Sequence, residues 1–463
     1  MTAQRYLDQL HSIRASAGPV FTRGLGDEVI GKFLANEKDL ARAIEAAVEN
    51  RRKMSPAHDE LFKMEEKELC RLLQQKVLNF YPAAGINHYT PLAAAGSWIV
   101  TSHGAVIHDS GGYGMLGLGH APQAVLAAMS EPFVMANVMT PSFSQRRLTE
   151  RLSREIGGRR GSCPFEKFVF LNSGSESVTF TCRVADIHAR AMTDPGGRQA
   201  GKKIMRLAVM EGFHGRTEGP ARTSHSCRPV YAKHLASYRD TDNLLFVPIN
   251  DLAALRKTFA EAENNGVFFE AFFVEPVMGE GIPGLALARE YYDEARALTL
   301  KMGSLLVVDS IQAALRAQGC LSIVDYPGFE TCIPPDMETF SKALNAGQYP
   351  LSVVALSGEA AAEYVTGLYG NTMTGNPRAM EVGCAVLDSV TDEVRRNIHE
   401  RGLEFIARFQ ALAMEFPGAI EQVAGTGLIV SAMLNPGRYR VQGEGGFEEF
   451  MRVNGIEMIH GGE

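Results

Sequence analysis

The sequence predicts an α/β chain built on a mostly parallel sheet, and three observations carry the prediction. Short, predominantly apolar runs rich in Val, Ile, Leu and Phe recur along the middle of the chain, at Phe168–Leu171, Ile204–Met210, Ala271–Val274, Leu305–Val308 and Leu351–Leu356. Helical patterns return between them, as after Phe168–Leu171 through Ile187 and again over Ala288–Met302. Finally, Leu305–Val308 ends in the carboxylate Asp309, the profile of a central strand whose C-terminal end opens onto a site.

At 463 residues the chain is long for one domain, and two or three are expected. Its 45% hydrophobic and 21% charged residues are ordinary for a soluble globular protein. A formal net charge of −7 argues against nucleic acid or an acidic membrane as partner. Cys70, Cys163, Cys182, Cys227, Cys320, Cys332 and Cys384 are scattered, odd in number and form no C-x-x-C pair. That suits reduced thiols better than disulfides or a metal site. The N-terminal MTAQRYLDQLHSIR is polar, which speaks against a secretory signal, and no uncharged apolar run is long enough to cross a bilayer. A soluble, cytoplasmic protein is expected.

Residues 1–90 are rich in helix formers and charge, with Glu37–Arg52 and His58–Leu78 as candidate helices. Ser55-Pro56 ahead of Asp59-Glu60 reads as a helix start, with proline near the first turn and acids near the positive dipole end. No chemistry is visible there, and the region reads as a helical extension packed on the body or on a second subunit. Between Pro91 and Met129, Gly111, Gly112, Gly114, Gly117 and Gly119 break regular structure, so this stretch reads as a loop.

Phe168–Leu171 runs into Asn172-Ser-Gly-Ser-Glu176 and then a helix. Free N–H groups and a positive dipole end then point at one spot, where a dianionic phosphate fits and Gly174 permits close approach. Ile204–Met210 ends at Glu211-Gly-Phe-His-Gly-Arg-Thr217, and Ala271–Val274 delivers Glu275-Pro-Val-Met-Gly-Glu280-Gly281. Glu275 is either a buried carboxylate facing a substrate group or an arginine, or the cap of the turn that follows. Beyond Asp309, Lys342 lies between Ser341 and the turn Asn345-Ala-Gly347. A carboxylate at a strand end and a lysine on a nearby loop are what pyridoxal phosphate chemistry needs, for a Schiff base and for keeping the pyridine nitrogen protonated.

Taken in order, these segments resemble the class III aminotransferases, which are fold type I pyridoxal phosphate enzymes. Asp309-Ser-Ile-Gln312 and Ser341-Lys-Ala-Leu…Gly347-Gln-Tyr-Pro350 are similar to that family's D-E-V-Q-T-G-F-G-R-T-G and S-K-A-L-G-G-G-Y-P. The resemblance implies Lys342 and Asp309 as catalytic residues, with Gln312 near the cofactor's ring hydroxyl. It implies Gly174 and Ser175 in the phosphate cup, Phe213 stacked on the ring, and His214 as a structural neighbour rather than an acid or base. Gly119-His-Ala-Pro122 matches a family loop that lines the site, which makes Trp98 and Tyr113, with Glu275, candidates for substrate contact. Gly370-Asn-Thr-Met-Thr-Gly-Asn-Pro377 resembles H-x-x-T-F-G-G-N-P, whose threonine, here Thr372, reaches the neighbouring subunit's phosphate in an obligate homodimer. The match breaks at Ser310 for glutamate, Ala314 for glycine, Arg316 for glycine, Ala317 for arginine and Thr374 for glycine.

The expected fold is then a three-layer α/β/α large domain at 91–375, a smaller α+β domain at 376–463 and the helical extension at 1–90. The chain stops at Ile456–Glu463, about where the family continues into a final strand and helix, so that domain is expected short or cut off. Family arginines that hold a substrate carboxylate lie in that last part. The implied activity is transfer of an amino group between an amino acid or ω-amine and a 2-oxo acid through Lys342. The alternative is an aminomutase, a racemase or epimerase, or an elimination or carbon–carbon bond-forming enzyme on the same fold.

Overall fold

The computed structural model describes residues 3–81, 83–239 and 243–461. The chain divides into two compact units, one drawn over Met1–Gln123, Pro417–Glu421 and Leu434–His460, the other over Ala124–Phe416, Gln422–Met433 and Gly461–Glu463.

In the first unit, helices pack on a small sheet. Helices Ala3–Ala15, Asp27–Leu34 and Lys38–Phe62 present Leu10, Ile30, Leu40 and Ile44 to one apolar core. That core also takes Trp98, Val100 and Val106 from strands β1 (Pro91–Ala95), β2 (Trp98–Thr101) and β3 (Val106–Asp109). Both neighbouring pairs are antiparallel, and the short strand Ile456–Glu457 runs parallel along β3. The four aliphatic side chains from the helices are fully buried. At about 1.5–3 kcal/mol each, their burial is comparable to the whole stability of a domain. The N-terminal helices therefore share a core with these strands, in a unit that also takes in the C-terminal segment.

Two expectations are corrected here. The stretch 91–129 is not one loop, because its first half forms the three strands and Gln123–Ser130 is helical. Gly96 (φ 55°) and Gly104 (φ 79°) make the left-handed turns between the strands, so glycine punctuates the sheet instead of preventing it. Nor does Ser55-Pro56 begin a helix. The helix Lys38–Phe62 passes through Pro56 and takes up the irregularity at His58, whose backbone is non-helical.

The second unit holds a seven-stranded sheet of β4 (Lys167–Leu171), β5 (Lys203–Val209), β6 (Leu244–Val247), β7 (Val267–Val274), β8 (Leu305–Asp309), β9 (Met337–Phe340) and β10 (Ser352–Leu356). Their order is β4-β10-β9-β8-β7-β5-β6, and only β10 is reversed, antiparallel to both β4 and β9. Helices such as Gly174–Thr193 and Arg289–Met302 connect and cover the strands. Every residue of β7 (VFFEAFFV) is buried, as expected of an inner strand covered on both faces. Its one charge, Glu270, is paired with Arg206 of β5. This arrangement brings the C-terminal ends of β4, β5, β7, β8 and β9 to one edge, and Gly174, Ser175, Phe213, Glu275, Asp309 and Lys342 follow those ends. Among the described residues, no helix is long and apolar enough to cross a membrane.

At the opposite end of β8, Arg296 forms a two-pronged ion pair with Asp336 (2.7 and 3.0 Å), and Asp336 also accepts from the Leu306 N–H at 2.7 Å. Both side chains are buried. Asp336→Ala should leave the guanidinium uncompensated and destabilise this unit by about 3–5 kcal/mol, read as a lowered urea midpoint. An unchanged midpoint would contradict the pairing.

Candidate active site

Asp309 is the last residue of β8 and is 3% exposed. Its Oδ1 accepts from the Ile311 N–H (3.1 Å) and the Thr339 hydroxyl (3.0 Å), and Oδ2 faces His214 Nδ1 at 2.9 Å. The carboxylate is thereby fixed from three directions. Burial alone would lower the His214 pKa, but the hydrogen bond and charge of Asp309, with Glu275 behind, outweigh it and leave the imidazole pKa raised. Its Nε2 is buried without a hydrogen-bond partner.

Lys342 enters this setting through strand register. Asp309 pairs with Thr339 on the adjacent β9, and the chain leaves β9 at Phe340 to place Lys342 two residues later. Lys342 has φ 45°, a left-handed backbone uncommon for a side chain of this size. Burial and the positive charge of Arg316 push its ammonium down to about 8, against the pull of Glu280, Asp309 and Glu275. At pH 7 roughly a tenth of such amines are neutral, about 300-fold more than for a lysine at 10.5.

At the end of β4, Ser173 caps the helix Gly174–Thr193 in a capping box with Glu176. Gly174 and Ser175, the first two helical residues, have N–H groups with no intrahelical acceptor. A Cβ at Gly174 would stand 2.7 Å from the Ile311 side chain, and one at Gly215 would stand 2.4 Å from Ser175 Oγ. Glycine is thus required at both positions for these segments to converge. Phe213 follows β5, half-buried, with the Arg216 guanidinium 5.3 Å from its ring centre.

The remaining predicted residues fall as follows. Glu275 is buried, and its two oxygens accept from the Phe213 (2.8 Å) and Gly279 (3.0 Å) N–H groups, the turn-capping alternative. Burial holds its carboxyl up at about 7, with His214 opposing. Gln312 is half-buried, and its Oε1 accepts from Arg316 at 2.7 Å. Trp98 is 3% exposed in the core of the first unit, between Phe33 and His108, and the Tyr113 hydroxyl lies 2.9 Å from that of Tyr89 in the same unit. Thr372 is exposed.

Sequence reasoning passed over His214 as a partner of Asp309, as well as Thr339 and Arg316. Arg316 alone had a signal, since an arginine stands where glycine is usual. The other two are joined to Asp309 only by the fold.

Pyridoxal phosphate fits this set of residues: a half-buried amine of lowered pKa, a fixed carboxylate, an aromatic ring and a helix N-terminus that begins with glycine. Among the described residues, no cluster could hold a metal ion.

Comparison with known proteins agrees. The family described as Aminotransferase class-III matches residues 82–451. The chain is 29% identical to an acetylornithine aminotransferase of Neisseria meningitidis serogroup B, covering 74% of this chain and 80% of that one. It is 28% identical to an ornithine aminotransferase of Bordetella pertussis, over 76% and 81%. Among solved structures, the ornithine aminotransferase of Toxoplasma gondii ME49 superposes with a TM-score of 0.71 at 21% identity, over 87% of this chain and 90% of that one. These structural likenesses bear on the fold.

The low lysine pKa sets a test. Because burial and Arg316 disfavour the ammonium, neutral Nζ accumulates at lower pH than usual. In protein freed of cofactor, the rate at which Lys342 captures an aldehyde should rise tenfold per pH unit and level off near 8. Peptide mapping after reductive trapping would follow it, and a plateau only near 10.5 would refute the assignment.

Proposed function

Since the chain belongs to the class III aminotransferases, and is a pyridoxal phosphate-dependent transferase of fold type I, we propose that Lys342 and Asp309 are its catalytic pair. They serve the transfer of an amino group between an amino acid or ω-amine and a 2-oxo acid. The observation that carries this reading is the half-buried, low-pKa Lys342 set just beyond the strand residue that pairs with Asp309. N-acetylornithine or ornithine as donor is favoured by the relatives' names.

When bound, pyridoxal phosphate supplies an aldehyde to receive amines and a cationic ring that draws electrons. Gly174 and Ser175 bind its phosphate through their N–H groups. Asp309 would hold the proton at the ring nitrogen, and His214 with Thr339 fixes the orientation of that carboxylate. Phe213 offers a flat apolar face. Lys342 Nζ, neutral in a useful fraction, takes up and returns the proton of the amine-bearing substrate carbon. Gln312, tied to Arg316, lies beside this set.

A homodimer is the second part of the proposal. Val134, Met139, Phe143 and Met373 are each more than 60% exposed, and the Val138 N–H bond to the Thr374 carbonyl (3.0 Å) joins their two segments. So much exposed apolar surface next to Thr372 favours a second copy as its cover. All seven cysteines are free, which favours a reducing compartment such as the cytoplasm.

With N-acetylornithine and 2-oxoglutarate, Lys342→Ala should lower transfer by about 10³-fold or more. Asp309→Asn should lower it by about 10²-fold or more with the cofactor still held. Full activity in either variant would sink the catalytic assignment. In sedimentation, the unaltered chain should run as a dimer, and a double change Val134→Asp with Met139→Asp should yield monomers. A monomeric unaltered chain would rule the dimer out.

A further inference from the structure

Arg316 is a cation without a counter-charge. Its Nε and one Nη donate to the Gln312 carbonyl (3.0 and 2.7 Å), and that same Nη donates to Gln312 Oε1 at 2.7 Å. No carboxylate among the described residues pairs with it, and burial alone brings its guanidinium down to about 10. The other Nη has no acceptor among the described residues. Arg316 is half-buried, and a partly desolvated guanidinium with one edge unpaired is suited to an anion that arrives.

The backbone around Arg316 is fixed in place. Leu315 has φ 63°, its N–H bonds the Cys320 carbonyl at 2.8 Å, and the Arg316 carbonyl accepts from the Leu428 N–H at 3.0 Å. Gly427 approaches so closely that a Cβ there would lie 1.8 Å from the Ala317 carbonyl oxygen. A loop held this firmly gives the guanidinium a defined position. Its partner Gln312 packs against Gly279, whose N–H is held by Glu275 at the end of β7, and the charge of Arg316 acts on Lys342 against the opposite pull of Glu280, Asp309 and Glu275.

We infer that Arg316 is the anchor for the carboxylate of the amino-acid or oxo-acid substrate, its free amino edge receiving the anion while Gln312 holds the opposite edge. The inference rests on the aminotransferase reading. A substrate carboxylate entering a site lined by three carboxylates is repelled unless one cation meets it, and Arg316 is the cation placed to do so. The bond between Gln312 and Arg316 then has a purpose: it orients the guanidinium fork.

The test uses the cofactor-loaded protein and two readouts. Glutarate, a dicarboxylate with no amine, should bind the unaltered protein, and its Kd should rise about 30- to 100-fold in Arg316→Met, the range for a charge-assisted hydrogen bond. Arg316→Lys, which keeps the charge but not the fork, should fall between. Second, the ratio of kcat/KM for 5-aminopentanoate over pentylamine should drop by a similar factor in Arg316→Met. A residue that merely positions Gln312 would lower both donors alike and leave the ratio unmoved. Unchanged glutarate affinity, or absence of glutarate binding to the unaltered protein, overturns the inference. If the unaltered protein transfers amines from no donor, the proposed function fails, while the glutarate series still reports on Arg316. Cofactor absorbance of each variant shows that the site is intact.

Discussion

The carboxylate of Asp309 is the fixed point of this molecule. It ends an inner strand whose neighbours on both sides are parallel, so all three deliver their chains to the same edge. The strand before it in the sheet brings Glu275, the one after it Thr339 and then Lys342. The next strand out, β5, brings Phe213 and His214. A parallel sheet concentrates side chains in this way because its strands leave at one edge and the chain returns to the other before the next begins. The carboxylate is almost wholly buried, and three partners satisfy its oxygens: a backbone N–H, a hydroxyl and an imidazole.

The imidazole shows how charge is distributed over the site. Glu275 and Asp309 follow one another at the ends of adjacent strands, and the charge of Asp309 raises the proton affinity of Glu275. His214 lies within reach of both, and its charge lowers Glu275 while Asp309 raises His214. One proton placed on the imidazole relieves both carboxylates. Lys342 sees the remainder, with anions favouring its charged form and burial and Arg316 opposing it. The opposition prevails, which is what a base near neutral pH requires.

Much of this was legible in the sequence, and the reason is local. A strand followed by a motif of five to eight residues is a contiguous signal, so Asn172–Glu176, Phe213, Glu275 and Asp309 could each be placed at a strand end by reading alone, and Lys342 on a loop nearby, although β9 just before it went unread. What stayed hidden was non-contiguous. His214 and Asp309 are 95 residues apart, and only the sheet order makes them partners. The strands at 91–109 were missed because glycine density was taken as disorder of form, whereas Gly96 and Gly104 are the turns that allow such short strands. Pro56 misled in the opposite direction, as a start signal inside a helix that tolerates it at a kink.

The departures from the family pattern between Ser310 and Ala317 are connected through packing. A serine at 310 leaves room that Glu338 of β9 fills: its two oxygens accept from the hydroxyls of Ser310 and Ser322, and Oε1 also takes the Ile323 N–H at 2.9 Å. The acid missing from one strand is supplied by its neighbour, and burial holds its carboxyl near 7. Ala317 turns its carbonyl to Gly427, an approach with no space for even one methyl group on the glycine. The segment is therefore clamped by β9 at one end and by the Gly427 turn at the other. Between those clamps a glycine would have been free to flex, and an arginine is not. Four changes that look like erosion in the alphabet of the motif amount, in space, to one rigid strap carrying a single positive charge that acts on Lys342.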